Sequence, residues 1–312
     1  MPPAFPKELN HFFNLKGKVS GVVISNSYYK NSAQAKSEAQ KVNSYIGDFT
    51  FSPICDYSGT NWVYGIIMGL LTYYRISVRE HRKNPFDMIL CYGPHTTGLI
   101  ASYISKKLKI PLVLDLPGNP ELTHSFDEGE NISFIGKLKK NIAPKIVAYS
   151  IKNADCLSVR YPTQVGKFEH TAPVHVSPAF VPAEYLAKRF FKTNKQKVIQ
   201  FVGFPFYLKG VDILIAAFNK ISSQIPDYTL NIMGYCADRQ PYIDMAQGNP
   251  RIEFSKPVEY FDCVQKIAEA SVLILPSRTE SMGRVLIEAM AVKTAVIAAT
   301  VDGIPNNKKN ED

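Results

Sequence analysis

Two glutamates near the C-terminus, Glu280 and Glu288, are the residues whose type and spacing best suit chemistry on a sugar. Glu280 follows an apolar run that ends in Pro276-Ser277, and Glu288 stands eight positions later inside a predicted helix. A carboxylate at the first position could accept hydrogen bonds from sugar hydroxyls, and one at the second could bind a ribose diol. On spacing alone a second interpretation stays open, in which both glutamates are solvated on a capped surface helix.

The start of that predicted helix is a candidate phosphate site. We predict this helix over Arg284–Ala291 and a strand over Ala295–Ala298, and the residues that lead into the helix are Ser281, Met282, Gly283 and Arg284. Backbone N–H groups in a first turn lack intrahelical partners, and together with the helix dipole they favour an anion. Gly283 would let a diphosphate approach the backbone closely.

A second candidate segment lies where a strand is followed by a helix. Gly203 ends the predicted strand Lys197–Gly203, and Lys209 stands at the start of the predicted helix Gly210–Ile221. A lysine at this position can neutralise a phosphate as a point charge. The alternative is an ordinary loop with a surface lysine.

Together these segments resemble the retaining family-4 glycosyltransferases of the GT-B fold. The resemblance covers about Lys197–Pro305 and matches that family's motifs in order and spacing. The matching residues are Val202-Gly203, Lys209-Gly210, Pro276-Ser277, Glu280, Gly283, Glu288-Ala289-Met290-Ala291 and Asp302-Gly303-Ile304-Pro305.

The resemblance implies a role for each donor-site residue. Lys209 would hold the donor diphosphate, Glu280 would contact the donor sugar, and Glu288 would bind the ribose. The backbone at Met282–Arg284 would receive the phosphates, beside Gly203. The sugar would pass through an oxocarbenium-like state with retention, stabilised by positioning and charge. No Asp-x-Asp motif occurs, so we expect neither a metal nor any cofactor beyond the nucleotide-sugar substrate.

The chain also departs from the family pattern. Phe204 stands where the family has a diphosphate-binding arginine, and Arg278 or Arg284 is the candidate replacement. Asp302 replaces a glycine, and Lys293 and Ala295 stand where glycine and proline are common.

The N-terminal half offers weaker candidates. His95 follows a predicted strand and the turn Gly93-Pro94, and relatives often place a histidine that faces the donor in this half; the alternative is a solvent-facing histidine at a helix start. Pro117 stands where relatives often have His-Gly, and Gly118 and Asn119 are candidates for the acceptor side.

The order of predicted elements indicates the fold. Short apolar strands alternate with amphipathic helices, which predicts parallel sheets covered by helices. This alternation is interrupted at Pro178–Lys195, where we place a linker without a strand. We therefore predict two Rossmann-like domains facing a cleft, an acceptor-binding domain over 1–185 and a donor-binding domain over 196–312. Relatives continue beyond the Ile-Pro segment, so the second domain is expected to be incomplete.

The composition and the absence of certain motifs exclude several classes of protein. The 312 residues are 46% hydrophobic and 20% charged, with a formal charge of +9 and five cysteines without a CxxC pair. These values favour a folded cytoplasmic protein without a zinc site. No nucleic-acid motif, signal peptide or apolar run of about 18 residues occurs.

Two segments suggest attachment to an anionic membrane surface. Trp62–Tyr74 is apolar and precedes several arginines, and Asn131–Lys152 interleaves lysines with apolar residues. Basic amphipathic helices of this type can lie on a bilayer. The alternative is that both helices pack on their own sheet.

We therefore expect a glycosyltransferase that moves a sugar from a nucleotide donor to a glycan or lipid-linked acceptor, with cell-envelope polysaccharide assembly as the setting. An inactive relative that binds sugar nucleotides or acts as a scaffold is the rival hypothesis. A Rossmann dehydrogenase or epimerase would require a GxGxxG segment after a strand, and none occurs.

Overall fold

The structure is a computed structural model that describes residues 21–26, 49–54, 62–120, 134–178 and 181–305. Parts of two predicted segments fall outside these ranges, namely residues 131–133 of the candidate membrane-surface segment and residues 306–312 of the predicted donor-binding domain.

Strands and helices alternate along most of the described chain. The strands are β1 (Gly21–Asn26), β2 (Phe49–Ile54), β3 (Ile89–Tyr92), β4 (Leu112–Asp115), β5 (Cys156–Val159), β6 (Val174–Val176), β7 (Gln196–Val202), β8 (Thr229–Met233), β9 (Ile252–Ser255), β10 (Ala270–Leu275) and β11 (Ala295–Ala298). The helices are α1 (Trp62–Lys83), α2 (Thr96–Leu108), α3 (Phe134–Lys152), α4 (Ala183–Phe190), α5 (Val211–Ile221), α6 (Gln240–Met245), α7 (Tyr260–Glu269) and α8 (Arg284–Ala291).

The largest sheet has the order β11-β10-β7-β8-β9, and its paired strands are parallel. The register aligns Val198 with Thr229 and Leu230 with Ile252. Phe201, Leu230 and other apolar side chains of these strands are fully buried beneath the helices. Because all five strands run the same way, their carboxyl ends meet at one edge of the sheet, where open α/β sheets bind ligands.

Two smaller sheets contain the earlier strands. One has the order β3-β4-β5-β6, and β1 pairs with β2 in the other. Ile89 pairs with Leu112 and Leu157 with Val174 in parallel register. The predicted α/β class with parallel sheets is therefore confirmed.

The chain groups into two compact units. One comprises residues up to 115 together with 146–156 and 170–172, and the other comprises residues 116–145, 157–169 and 173 onward. The second unit contains every candidate site residue except His95. The domain boundaries placed at 185 and 196 stay a prediction.

The stretch predicted as a linker contains a helix, α4, which the sequence analysis missed. Leu186 is fully buried in the core of the five-stranded sheet, and Phe190 stacks on Phe261 with ring centroids 5.7 Å apart. The signal was the i, i+4 spacing of Leu186 and Phe190 on one face of a helix, with Lys188 and Arg189 elsewhere on the surface. The basic residues and the flanking prolines made this helical pattern hard to recognise in the sequence.

None of the helices in the described ranges is long and apolar enough to span a bilayer.

Candidate functional site

Two loops meet at the carboxyl edge of the five-stranded sheet. One follows β7 and leads into α5, and the other follows β10 and leads into α8. The N–H of Arg278 donates to the carbonyl of Leu208 at 2.8 Å. Gly210 has φ +71°, and a Cβ there would lie 2.0 Å from the carbonyl oxygen of Pro276. Glycine is therefore required where the two loops touch.

Lys209 and Glu280 form an ion pair across these loops. The Nζ of Lys209 lies 2.5 Å from Oε2 of Glu280, and the two side chains are 18% and 12% exposed. Partial burial makes this pair stronger than an exposed one, because less water screens the charges. The structure thus brings together the two residues for which the family resemblance implies contacts with the donor diphosphate and the donor sugar.

The start of α8 lies shortly after Glu280, with Ser281 and Met282 between Glu280 and the N-cap. Gly283 is the N-cap, with φ +66°, and Arg284 is the first helical residue. Leu286 donates its N–H to the carbonyl of Gly283 at 2.8 Å. The preceding residues, including Met282, complete the short connection. The predicted helix start is therefore beside the ion pair in sequence and belongs to the same unit.

Glu288 lies inside α8 and is only 7% exposed. Burial raises the pKa of this carboxyl above its ordinary value, although the guanidinium of Arg284 opposes the shift. Arg284 Nη2 lies 3.3 Å from Oε1 of Glu288. Cys263 is half-buried, and its desolvation together with the nearby Glu288 charge raises the pKa of its thiol to about 12. Glu288 is a buried carboxyl with little compensating charge, so the solvated surface interpretation is wrong for it.

The two candidate replacements for the missing arginine differ in what they contact. Arg278 makes two hydrogen bonds to the carboxylate of Asp212, at 2.7 and 2.6 Å, and lies over the ring of Tyr207 at 4.2 Å. The side chain of Arg284 is 55% exposed. Arg278 therefore joins two loops, whereas Arg284 presents a guanidinium at the helix start.

Phe204, in the arginine position, is exposed at the carboxyl end of β7. Its ring packs edge-on against Tyr235, which follows β8, with centroids 5.7 Å apart. The strands that carry them come very close here, because a Cβ on Gly234 would lie 2.0 Å from the carbonyl oxygen of Gly203. This part of the edge is apolar instead of cationic.

Asn119 lies next to Glu280 in the structure. Its Nδ2 donates to Oγ1 of Thr279 at 2.7 Å and to Oδ2 of Asp302 at 2.8 Å, and Tyr161 donates its hydroxyl to Oδ1 of Asn119. Gly118 is held through its carbonyl, which accepts from Nε2 of Gln164 at 2.8 Å. The sequence pattern does not indicate Thr279 and Tyr161 as neighbours of the site, and it marks Asp302 only as a departure from the family pattern.

His95 is described within the other compact unit. It occupies the N-cap position of α2 without a side-chain capping hydrogen bond, directly after the turn that follows β3, and its side chain is half-buried. The structure confirms its place at the end of a strand, and its role in catalysis stays a prediction.

No group of three or more His, Cys, Asp or Glu side chains in the described ranges could hold a metal ion. Metal-independent chemistry itself stays a prediction.

Comparison with known proteins gives two kinds of likeness. Residues 184–311, less than half of the chain, match the family model described as glycosyl transferases group 1. A D-inositol 3-phosphate glycosyltransferase of Jonesia denitrificans is 32% identical over 177 residues, which cover 51% of this chain and 41% of that relative. The chain spans less than half of the length of the curated relatives it matches.

Solved structures extend the likeness to nearly the whole chain. Sucrose-phosphate synthase from Thermosynechococcus elongatus superposes with a TM-score of 0.61 at 15% identity, covering 92% of this chain and 82% of that one. WaaG, a glycosyltransferase involved in lipopolysaccharide biosynthesis, gives 0.60 at 16% identity, covering 93% and 83%. Both have the GT-B fold. The fold of this chain is therefore GT-B, and residues 184–311 are similar to the glycosyl transferases group 1.

Proposed function

We propose that this chain is a retaining glycosyltransferase that moves a sugar from a nucleotide-sugar donor to a glycan or lipid-linked acceptor. The observation that carries this proposal is the Lys209–Glu280 ion pair at the carboxyl edge of the sheet, shortly before the start of α8. The match of residues 184–311 to glycosyl transferases group 1 supports it.

In this proposal the donor binds the domain predicted over 196–312. Lys209 and Arg284 neutralise the diphosphate, and the N–H groups at Met282–Arg284 receive its oxygens. Glu288 accepts hydrogen bonds from the ribose. A buried carboxylate with few donors around it gains from the hydroxyls of a bound diol, because they replace the hydration it lost on folding.

Catalysis then rests on charge stabilisation by these groups. The bond between the anomeric carbon and the leaving phosphate oxygen breaks, a bond to the acceptor oxygen forms on the same face of the sugar, and the proton of the acceptor hydroxyl passes to the leaving phosphate. The electron pair leaves with the nucleoside diphosphate, where Lys209 and Arg284 stabilise the negative charge in place of a metal ion. Glu280, paired with Lys209 before the donor binds, contacts the sugar hydroxyls.

The acceptor would bind the domain predicted over 1–185. Gly118 and Asn119 would line its site, and His95 would face the donor sugar. Cell-envelope polysaccharide assembly is the proposed setting, in line with the lipopolysaccharide role of WaaG, a structure of the same fold.

Helix α1 supports attachment to an anionic membrane. Tyr64, Ile67 and Leu71 are exposed at the spacing of one helix face, and Arg75, Arg79 and Arg82 continue that face, also exposed. Apolar side chains can enter a bilayer while the arginines bind anionic headgroups. The chain should sediment with vesicles that contain phosphatidylglycerol, and a variant with Ile67→Ser and Leu71→Ser should not. Equal sedimentation of both proteins would contradict this attachment.

Donor binding and turnover test the proposed function. A panel of UDP-, GDP- and ADP-sugars is added to the 312-residue chain while its melting temperature is followed. A donor at a hundred times its Kd should stabilise the protein by about 2.7 kcal/mol. Lys209→Ala should lose most of this stabilisation, whereas Lys197→Ala, which changes an exposed lysine paired with Asp227, should keep it. Release of nucleoside diphosphate should continue in the presence of a chelator.

Three outcomes of this experiment would each contradict a part of the proposal. A panel in which no donor stabilises the protein would refute the assignment. Stabilisation that depends on Lys209, without turnover for any acceptor, would favour the inactive relative. A requirement for added divalent metal would overturn the metal-independent mechanism.

A further inference from the structure

The turn that follows β11 has an unusual backbone. Asp302 has φ +46°, in the left-handed region that glycine favours. Among other residues, Asp and Asn enter this region most readily because their short side chains hydrogen-bond locally. The side chain of Asp302 makes such bonds, and they lead to Glu280.

Both backbone groups of Glu280 are held by this turn. The N–H of Glu280 donates to Oδ2 of Asp302 at 3.0 Å, and the N–H of Gly303 donates to the carbonyl of Glu280 at 3.2 Å. A Cβ on Gly303 would lie only 1.6 Å from the carbonyl oxygen of Ser281. The turn therefore hydrogen-bonds to the backbone of Glu280 and packs directly against the next residue, Ser281.

The same carboxylate connects Glu280 to a distant loop. Oδ2 of Asp302 also accepts from Oγ1 of Thr279 at 2.7 Å and from Nδ2 of Asn119 at 2.8 Å. Asn119 is in turn held by the hydroxyl of Tyr161, a buried residue. Three donors converge on one charged oxygen, and hydrogen bonds to a charged group are stronger than neutral ones.

We propose that Asp302 and Gly303 form a clamp that positions Glu280, and that Asn119 couples this clamp to the loop at 116–120. Asp302 is a positioning residue, since it acts on the donor sugar only through Glu280. The catalytic consequence rests on the proposed function, in which residues near Asn119 receive the acceptor. A shift of that loop would then change the position of Glu280, so the acceptor and donor sides would respond to each other.

Amide hydrogen exchange at Glu280 tests the clamp without any need for activity. The best variant is Asp302→Gly, because glycine accepts the left-handed backbone while the carboxylate is lost. Lys293→Gly is the matched control, since Lys293 also has positive φ, at +55°, but lies outside the clamp. Exchange at the Glu280 N–H should rise about tenfold or more in Asp302→Gly and stay within about twofold of wild type in Lys293→Gly. An unchanged rate in folded Asp302→Gly would overturn the proposal.

The coupling to Asn119 needs a second variant. Asn119→Ala should also raise exchange at Glu280, by a smaller factor, because it removes one of the groups that hold the Asp302 carboxylate. Combined with Asp302→Gly it should add nothing, since both changes act through the same oxygen. Independent, multiplying effects would remove Asn119 from the clamp.

Kinetics separate positioning from loss of structure. In Asp302→Gly, kcat for transfer should fall by about ten- to a hundredfold, because a small displacement of a group at the reacting centre is costly. The affinity for the nucleoside diphosphate alone should stay within about threefold, since Lys209 and the helix start are untouched. Asp302→Asn, which keeps one acceptor oxygen, should recover part of kcat. If the wild-type chain transfers no sugar, the proposed function fails, while the exchange measurement still decides the clamp.

Discussion

Glu280 and Glu288 belong to the same short segment, but their surroundings differ. Glu280 stands in a loop, its backbone held by the Asp302–Gly303 turn and its carboxylate paired with Lys209 at 2.5 Å. Glu288 stands inside a helix and is nearly fully buried, and within the described ranges its one ion pair is with the exposed Arg284 at 3.3 Å. One charge is balanced within the protein, and the other is poorly compensated. Similar residues in one motif can therefore serve different purposes, the first fixed in place and the second available for a ligand's hydroxyls.

The largest expected effect compares the same substitution at the two positions. Glu280→Gln should lower kcat for transfer by at least about a hundredfold, because it removes a charge next to the reacting centre. Glu288→Gln should mainly weaken donor binding, by about tenfold, because it weakens hydrogen bonds to the ribose. Steady-state kinetics with varied donor separate the two effects. Equal losses of kcat in both variants would contradict the proposed difference between Glu280 and Glu288.

Two glycines sharpen this comparison in terms of stability: Gly303 packs against the residue after Glu280, and Gly283 is the N-cap of the helix that carries Glu288. Gly303→Ala should cost about 3 kcal/mol, because its Cβ would meet the backbone oxygen of Ser281 at 1.6 Å. Gly283→Ala should cost about 1 kcal/mol, since its φ is +66° but its nearest contact is the flexible end of Leu286 at 2.9 Å. Denaturant unfolding of both variants measures the difference. The reverse order would mean that the backbone at Glu280 is less tightly packed than the structure shows.

The smallest expected effect is the pH dependence of stability. Burial raises the pKa of Glu288 above 4.5 in the folded state, so the folded protein binds this proton more tightly than the unfolded chain does. Ionisation of Glu288 therefore costs stability as pH rises from the ordinary glutamate range through the raised pKa. Glu288→Gln should be more stable than wild type at neutral pH, and the gain should shrink as pH falls towards 4.5.

Glu280→Gln should show the opposite sign at neutral pH. It leaves Lys209 without its carboxylate partner in a partly buried position, and this costs stability. Melting temperatures of both variants across a pH series provide the check. A gain in stability for Glu280→Gln would show that the ion pair does not stabilise the fold.

Much of the fold could be predicted from apolar runs and from the turn residues that separate them. The bounds of α8 and β11 agree with the sequence analysis, because Gly283 and Lys293 flank a regular helical pattern. The strand Val174–Val176 was missed because it is three residues long and exposed. Helix α7 was missed because it runs directly into β10 at Glu269–Ala270 without a turn residue between them.

The candidate site likewise contains contacts that the sequence could predict and contacts that it could not. Lys209 and Glu280 could be placed together, because β7 and β10 end at one edge and their loops must meet there. The contact between Asn119 and Asp302 joins residues 183 positions apart, and no local pattern reports such a pairing. The engagement of Arg278 by Asp212 was equally hidden, so spacing could not distinguish Arg278 from Arg284 as the exposed guanidinium.

Helix α4 determines where the half that contains the five-stranded sheet can be exchanged between related proteins. Leu186 and Phe190 complete the core of the five-stranded sheet, although they precede its first strand. A chimera joined at residue 196 would take these side chains from the other parent, and a poor fit at either would cost about 2–5 kcal/mol. Joined before Val181, it would inherit the helix together with Phe261, on which Phe190 stacks. Recombination is therefore best tolerated upstream of α4, because the two halves can then be exchanged without disturbing the packing of the core.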